Sequence, residues 1–180
     1  ILRNTFQSQL PPRAYRRVAF HAGQVQPRFR NVNRMPFVPE DDAARTARCE
    51  EVFNIQVTAL QRRLRHTNAQ HMVIGVSGGL DSALALMVAA EAGRRNGQGA
   101  GAVIGVVMPG FGSTEATQSL ARRLVVATGA ELREISIVDA SREHLKDIGH
   151  GGQADITYEN AQARERTQVL MDLSNQEKGF

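Results

Sequence analysis

The sequence lacks the features that mark several common classes of protein. Its 180 residues include a single cysteine, Cys49, which rules out an internal disulfide. No run of eighteen apolar residues occurs, and the first residues contain no apolar stretch typical of a signal peptide. We therefore expect no membrane-spanning helix and a location in the reducing cytoplasm. Because Cys49 lies in a helical pattern beside Val52 and Phe53, it is expected to be a small core residue without a catalytic role.

Acidic residues are absent from residues 1–39. This segment holds seven arginines: Arg3, Arg13, Arg16, Arg17, Arg28, Arg30 and Arg34. The net charge of +4 therefore comes from this segment, and the rest of the chain is slightly acidic. No aromatic-interleaved surface accompanies the arginines, so we expect no nucleic-acid partner. Pro36 and Pro39 disfavour helix before them, so residues 1–40 are predicted to form an extended basic connector.

The remaining chain alternates between apolar runs and helical patterns. Apolar residues spaced three and four apart from Cys49 to Leu64 predict an amphipathic helix that begins near Asp41. Short apolar runs predict strands at 71–76, 102–109 and 132–138, and helical patterns follow at 82–95, from Ser113 or Thr114 to Thr128, at 139–148 and at 157–176. This alternation indicates an α/β fold with a doubly wound parallel sheet, whose strands direct their carboxyl ends to one ligand-binding edge.

The segment between the first strand and its helix reads GVSGGLDS and has the composition of an anion-binding loop. We call it the Gly-Ser loop; it consists of Gly75, Val76, Ser77, Gly78, Gly79, Leu80, Asp81 and Ser82. Its three glycines are expected to take positive φ angles and to bring backbone N–H groups close to phosphate oxygens, and its two serines to add hydroxyl donors. Asp81 would repel a phosphate unless a cation lay between them, so the sequence predicts Mg²⁺ bound by Asp81.

Two other phosphate-binding patterns are excluded. The P-loop requires a Gly-Lys pair, and none occurs in the chain. GQGAGA at 97–102 contains spaced glycines, but it precedes a strand, whereas a dinucleotide fingerprint follows one. This stretch is therefore predicted to be a helix-to-strand loop.

The pattern Ser-Gly-Gly-x-Asp-Ser resembles the PP-loop of the ATP pyrophosphatases, which split ATP between the α and β phosphates. Further stretches narrow the resemblance: VNRMPFVPEDD, FNIQVTALQRRL, MPGFGST at 108–114, IGH at 148–150 and DITYENAQARERTQVLMDLSNQ at 155–176. Together they make residues 34–180 similar to the glutamine-dependent NAD synthetase family. The implied fold is adenine-nucleotide alpha-hydrolase-like, a Rossmann-like sheet of which we expect only part in this chain.

The resemblance implies a ligase that uses ATP and Mg²⁺. The carboxylate of nicotinic acid adenine dinucleotide (deamido-NAD) would be adenylated, and ammonia would then displace AMP to give NAD. Gly75–Ser82 would bind the ATP phosphates and Asp81 the metal, while Asn160 and Arg164 match residues that contact deamido-NAD; no catalytic residue is assigned. Another AMP-forming ligase of this group, GMP synthetase-like or tRNA-thiolating, and a non-catalytic nucleotide-binding module remain as alternatives.

Helical spacing bears on the two deamido-NAD residues independently. Asn160 and Arg164 are four residues apart and share one helix face. The opposite side of that helix gathers Tyr158, Ala161, Val169, Leu170 and Leu173. Both polar residues are therefore predicted to point away from the core. His150, next to a glycine-rich stretch, is predicted to be a loop residue.

The resemblance also predicts the place of this chain in a larger protein. Residues 1–40 are expected to be the tail end of an N-terminal glutaminase domain that is otherwise absent, and residues 41–180 the N-terminal part of the synthetase domain. Because the sequence lacks an initiator Met and the later ATP-binding segments of the family, we expect strand 71–76 to have an exposed edge and the isolated chain to be inactive. Glutamine would supply ammonia through the glutaminase domain, and the intact parent is expected to be a homo-oligomer.

Overall fold

The computed structural model describes residues 34–180 together with Val18, Ala19 and His21. Within this range, Pro39–Phe180 forms one compact unit. Most of the predicted basic connector, residues 1–40, lies outside the described residues, so its role stays a prediction.

The compact unit contains five helices and a three-stranded parallel sheet. Its elements are α1 (Asp42–Thr67), β1 (Met72–Gly75), α2 (Leu80–Arg95), a 3₁₀ turn (Ala100–Ala102), β2 (Val103–Val107), α3 (Glu115–Thr128), β3 (Glu131–Glu134), α4 (Val138–Asp147) and α5 (Ile156–Gln176). The strand order is β1-β2-β3. The predicted parallel α/β architecture is thus confirmed. Of the helices in the described part of the chain, none is long and apolar enough to cross a membrane.

Local capping chemistry fixes several helix ends. Asp41 begins α1 by accepting a 2.7 Å hydrogen bond from the Ala44 N–H. Thr114 caps α3 through the Thr117 N–H, and Gly129 ends α3 in the left-handed conformation with φ 77°. These ends agree with the predicted ones because capping depends on only a few neighbouring residues.

β2 lies between two apolar layers. All five of its residues are buried, and they alternate between the two faces of the sheet. Val103 and Val107 pack with α1, α2 and α3, in a cluster that includes Val57, Leu64, Leu86 and Val125. Ile104 and Val106 pack with Ile137 and with Leu173 of α5. The predicted coverage of both sheet faces is confirmed at β2.

The expected core position of Cys49 is wrong. Cys49 is exposed, and no residue between Asp42 and Val52 is buried. The apolar side of α1 meets the core only from Phe53 onward, where Val57 and Leu64 are fully buried. The amphipathic pattern thus extends beyond the part of the helix that packs.

The third strand also departs from the prediction of a buried strand at 132–138. β3 covers Glu131–Glu134, and only Arg133 among its residues is even half-buried. Ile135 and Ile137 lie beyond its end, where their N–H groups donate to the carbonyls of Val107 and Pro109 at 3.0 Å. Both side chains pack in the core although neither residue belongs to β3, and Ile137 is the N-cap residue that precedes α4.

The outer edge of β1 was predicted to be exposed, but the structure covers it. The Val73 N–H donates to the Phe180 carbonyl at 2.9 Å, and the Phe180 N–H donates to the His71 carbonyl at 3.3 Å. A third bond joins the Gln70 N–H to the Lys178 carbonyl at 3.0 Å. The segment after α5 therefore satisfies backbone groups along this edge.

A single glycine tests how closely β2 packs against α3. A Cβ atom at Gly105 would lie 2.6 and 2.8 Å from the two γ carbons of Val125. We expect Gly105→Ala to lower the free energy of unfolding by about 1–3 kcal/mol through overpacking. Urea denaturation measures this change. Gly101→Ala is the matched control, because a Cβ there has open space around it; equal stability of the two variants would contradict the packing described for β2.

Candidate functional site

The Gly-Ser loop lies at the carboxyl end of β1 and is closed by its two serine hydroxyls. The Ser77 N–H and Oγ lie 3.2 and 3.1 Å from the Ser82 Oγ. The Ser82 hydroxyl donates to the Gly79 carbonyl at 3.0 Å, and the Gly79 N–H donates to the Ser77 Oγ at 3.3 Å. Since each hydroxyl has one hydrogen, Ser77 then donates to Ser82. The serines therefore hold the shape of the loop, in addition to any role as ligand donors.

The glycines of the loop serve three different purposes. Only Gly78 has a positive φ, at 85°. Gly79 has an extended backbone with φ −87° and caps α2. A Cβ at Gly75 would lie 2.9 Å from the Met108 Cε and 3.1 Å from a Leu170 methyl, so close packing requires glycine there. The expected positive φ is wrong for Gly75 and Gly79, because β1 and the start of α2 impose their own backbone geometry.

Four backbone N–H groups at the start of α2 have no acceptor among the described residues. They belong to Gly78, Leu80, Asp81 and Ser82. The first turn of any helix leaves such donors unpaired, and the positive end of the helix dipole lies at the same point. We call this set the amide nest. It is a ready receptor for an anion with several oxygens.

The side chains of the loop divide sharply by exposure. Val76 is buried and its N–H donates to Val106, so it anchors the loop to the sheet. Leu80 is 89% exposed, so it contributes to the site only through its backbone. Asp81 is exposed and makes no hydrogen bond or ion pair with any residue in the described part of the chain. Its carboxylate is therefore available to a cation beside the amide nest.

A cleft of about 330 Å³ opens beside the Gly-Ser loop. The loop, the end of β2, the start of α3 and one face of α5 form its walls: Gly75, Val76, Ser77, Val107, Met108, Pro109, Ser113, Thr117, Gln118, Arg166 and Leu170. The predicted position of MPGFGST at this edge is confirmed, because Met108, Pro109 and Ser113 are among the lining residues. The donor groups of the cleft lie between apolar side chains.

Arg166 is the cleft residue that sequence reasoning missed. It lies on the same helix face as Leu170, four residues later, and burial lowers the pKa of its guanidinium. The sequence predicts Leu170 on the core side of this helix. The sequence signal for Arg166 is a charged residue four positions before Leu170, on the helix face that is predicted to be apolar.

Asn160 and Arg164 lie on the opposite face of α5. Both are exposed, as predicted, and they border a shallow depression of about 470 Å³ formed by Asn160, Ala163, Arg164, Thr167, Gln168, Met171, Asp172 and Asn175. Neither residue lines the cleft beside the Gly-Ser loop. Their contact with a ligand stays a prediction.

A compact network anchors the start of α5. Asp155 Oδ1 accepts hydrogen bonds from the N–H groups of Thr157 and Tyr158 at 2.9 and 3.0 Å, and His150 Nε2 lies 3.1 Å from the same oxygen. The Gly152 N–H donates to His150 Nδ1 at 3.1 Å. The Tyr158 N–H and then His150 hold the pKa of Asp155 below its usual value. His150 is thus a loop residue, as predicted, and it helps to fix the helix that carries Arg166.

Comparison with known proteins identifies a family. A family profile described as NAD synthase matches residues 52–180. The chain is 44% identical over 157 residues to a glutamine-dependent NAD(+) synthetase of Mycobacterium leprae; the match covers 84% of this chain and 23% of that relative. The chain therefore spans less than a quarter of the length of this relative.

Solved structures share the fold. The glutamine-dependent NAD+ synthetase of Acinetobacter baumannii in complex with adenosine diphosphate matches with a TM-score of 0.66 and 29% identity, over 72% of this chain and 24% of that one. An NMN synthetase of Francisella tularensis matches with a TM-score of 0.62 and 25% identity, over 72% of this chain and 51% of that one.

The amide nest depends on the backbone at Gly78. A side chain there would be strained at φ 85°, and its Cβ would lie 2.5 Å from the Thr117 carbonyl oxygen. We expect Gly78→Val to lower the free energy of unfolding by about 1–3 kcal/mol and to abolish binding of inorganic pyrophosphate, as measured by calorimetry. Gly112→Val is the control, because its Cβ has open space near the same edge of the sheet. Tight pyrophosphate binding by Gly78→Val would show that the nest does not hold the anion.

Proposed function

This chain belongs to the NAD synthase family, and on that premise we propose that its Gly-Ser loop binds the phosphates of ATP for the amidation of deamido-NAD to NAD. The amide nest carries the proposal: four unpaired N–H groups stand where a parallel α/β sheet binds its ligands. The relative from Acinetobacter baumannii is in complex with adenosine diphosphate, which supports an adenine nucleotide as a ligand. The family match favours this reaction over the GMP synthetase-like, tRNA-thiolating and non-catalytic alternatives.

The proposed chemistry has two steps. A carboxylate oxygen of deamido-NAD attacks the α-phosphorus of ATP, which forms an acyl adenylate and expels pyrophosphate. Ammonia then attacks the acyl carbon and AMP leaves, which forms the amide. The amide nest would hold the departing pyrophosphate and stabilise the negative charge that grows on it, without reorganising during the reaction. No side chain has to form a covalent bond with the substrate.

Magnesium fits the residues around the nest. Asp81 offers one carboxylate without a protein partner in the described part of the chain, and no cluster of three or more metal-ligating side chains occurs there. Mg²⁺ characteristically binds through one or two carboxylates together with substrate phosphates and water. We propose that Asp81 holds Mg²⁺, which would neutralise charge on the phosphates.

Glutamine is the proposed source of ammonia. The relative from Mycobacterium leprae is named as glutamine-dependent, and this chain spans 23% of its length. We propose that a glutaminase domain of the same parent protein delivers the ammonia. A mononucleotide substrate is the second candidate, because the Francisella tularensis neighbour is an NMN synthetase.

Asp81→Asn tests the metal assignment. The substitution keeps the size of the side chain and removes the charge that would hold Mg²⁺, so Mg²⁺-dependent release of pyrophosphate is expected to stop. The measurement is a coupled pyrophosphate assay of the intact parent protein with ATP, deamido-NAD and ammonium, with melting temperature recorded alongside. Asp42→Asn removes the same charge from the first turn of α1, outside the cleft, and is expected to have no effect. Undiminished activity in Asp81→Asn would refute the assignment.

Truncation of the exposed α5 face tests the deamido-NAD assignment. Asn160→Ala and Arg164→Met are expected to weaken deamido-NAD binding roughly five- to one-hundred-fold by removing one polar contact each. ATP binding is expected to change little, because neither residue lines the cleft. Parallel titrations with the deamidated mononucleotide and dinucleotide would separate the two candidate substrates. Arg63→Met, on the exposed surface of α1, is the charge-matched control; a variant that loses ATP but keeps dinucleotide affinity would overturn the assignment.

A further inference from the structure

One face of α5 runs from the loop after β2 to the start of the Gly-Ser loop. Three residues at four-residue spacing form this face: Gln162, Arg166 and Leu170. Gln162 Oε1 accepts a 3.1 Å hydrogen bond from the Phe111 N–H. At the other end, a Leu170 methyl lies 3.1 Å from where a Cβ of Gly75 would be. The contacts of Gln162 and Leu170 at the two ends of this face thus fix the position of Arg166 in the wall of the cleft.

Arg166 differs from the other half-buried arginines in having no partner among the described residues. Arg122 pairs with Glu115 and Glu134, and Arg133 pairs with Glu131 and Glu177. Burial without such compensation lowers the pKa of Arg166, although a guanidinium remains protonated at neutral pH. An anion that entered the cleft would relieve this uncompensated burial of charge.

The rest of the cleft also presents hydrogen-bond donors. Gln118 Oε1 accepts from Arg122 at 3.0 Å, which leaves the Gln118 amide NH₂ without an acceptor in the described structure. Ser113 Oγ accepts from the Gly110 N–H at 2.9 Å, so its hydroxyl hydrogen is free to donate. No Asp or Glu belongs to the described lining of the cleft. A ligand that suits these donors is an anion with several acceptor oxygens.

We propose that Arg166 binds the α-phosphate of ATP in the cleft beside the Gly-Ser loop. The inference rests on the proposed function, in which the nest takes the β- and γ-phosphates. The next phosphate toward the nucleoside then lies in the cleft, which Ser77 and Arg166 both line. A guanidinium suits this position because its planar fork can contact two phosphate oxygens. The α-phosphorus is the atom attacked, so Arg166 would stabilise the charge that develops there.

Calorimetric titration of the full chain with ATP and with inorganic pyrophosphate, both with Mg²⁺, tests this assignment. Arg166→Met is expected to weaken ATP binding roughly ten- to one-hundred-fold and to leave pyrophosphate binding within about twofold. Arg166→Lys, which keeps the charge and loses the fork, is expected to retain part of the ATP affinity. Arg123→Met removes the same charge from the exposed side of α3 and is expected to match the unaltered protein.

The outcomes distinguish this inference from the proposed function. Unchanged ATP affinity in Arg166→Met and Arg166→Lys would overturn the role of Arg166 and leave the amide nest standing. An equal loss of ATP and pyrophosphate affinity would overturn the α-phosphate assignment. If the unaltered protein binds pyrophosphate but Gly78→Val does too, the nest itself is wrong. Should the Met variant fold poorly by circular dichroism, the Lys variant alone decides.

Discussion

The burial of β2 between two apolar layers determines where the functional elements lie. Because its side chains alternate between the layers, helices must cover both faces, and the crossovers return each strand in the same direction. The carboxyl ends of β1 and β2 therefore meet at one edge, where the Gly-Ser loop faces Met108 and Pro109. α5 closes the cleft from the layer that holds Ile104 and Val106. The site is thus a consequence of sheet packing.

Backbone groups provide most of the chemistry at this edge. The serine hydroxyls close the loop, the left-handed Gly78 turns its backbone, and the helix start leaves N–H groups unpaired. Because hydrogen bonds within the loop hold its shape, we expect little conformational entropy to be lost on binding. It also needs few particular side chains, which explains why a short stretch of sequence suffices to identify it.

Features set by neighbouring residues could be predicted from the sequence, and features set by distant contacts could not. Thr114 and Gly129 marked the ends of α3 correctly because capping is local. Cys49 matched the apolar pattern of α1, but no element in the described part of the chain covers that end of the helix. β3 was predicted too far along the chain because apolar residues such as Ile137 pack in the core from outside the strand. Arg166 could not be predicted because its place in the cleft depends on loops that are distant in the sequence.

The charged residues of β3 affect whether a second chain can pair with this edge of the sheet. β3 forms one edge of the described sheet, and its Glu131 and Arg133 pair with each other, while Glu134 pairs with Arg122. The side-chain hydrogen bond from Arg122 holds the pKa of Glu134 below its usual range. Pairing of a second chain with β3 would desolvate these charged side chains, which costs free energy. The charged residues therefore disfavour strand addition and aggregation at this edge.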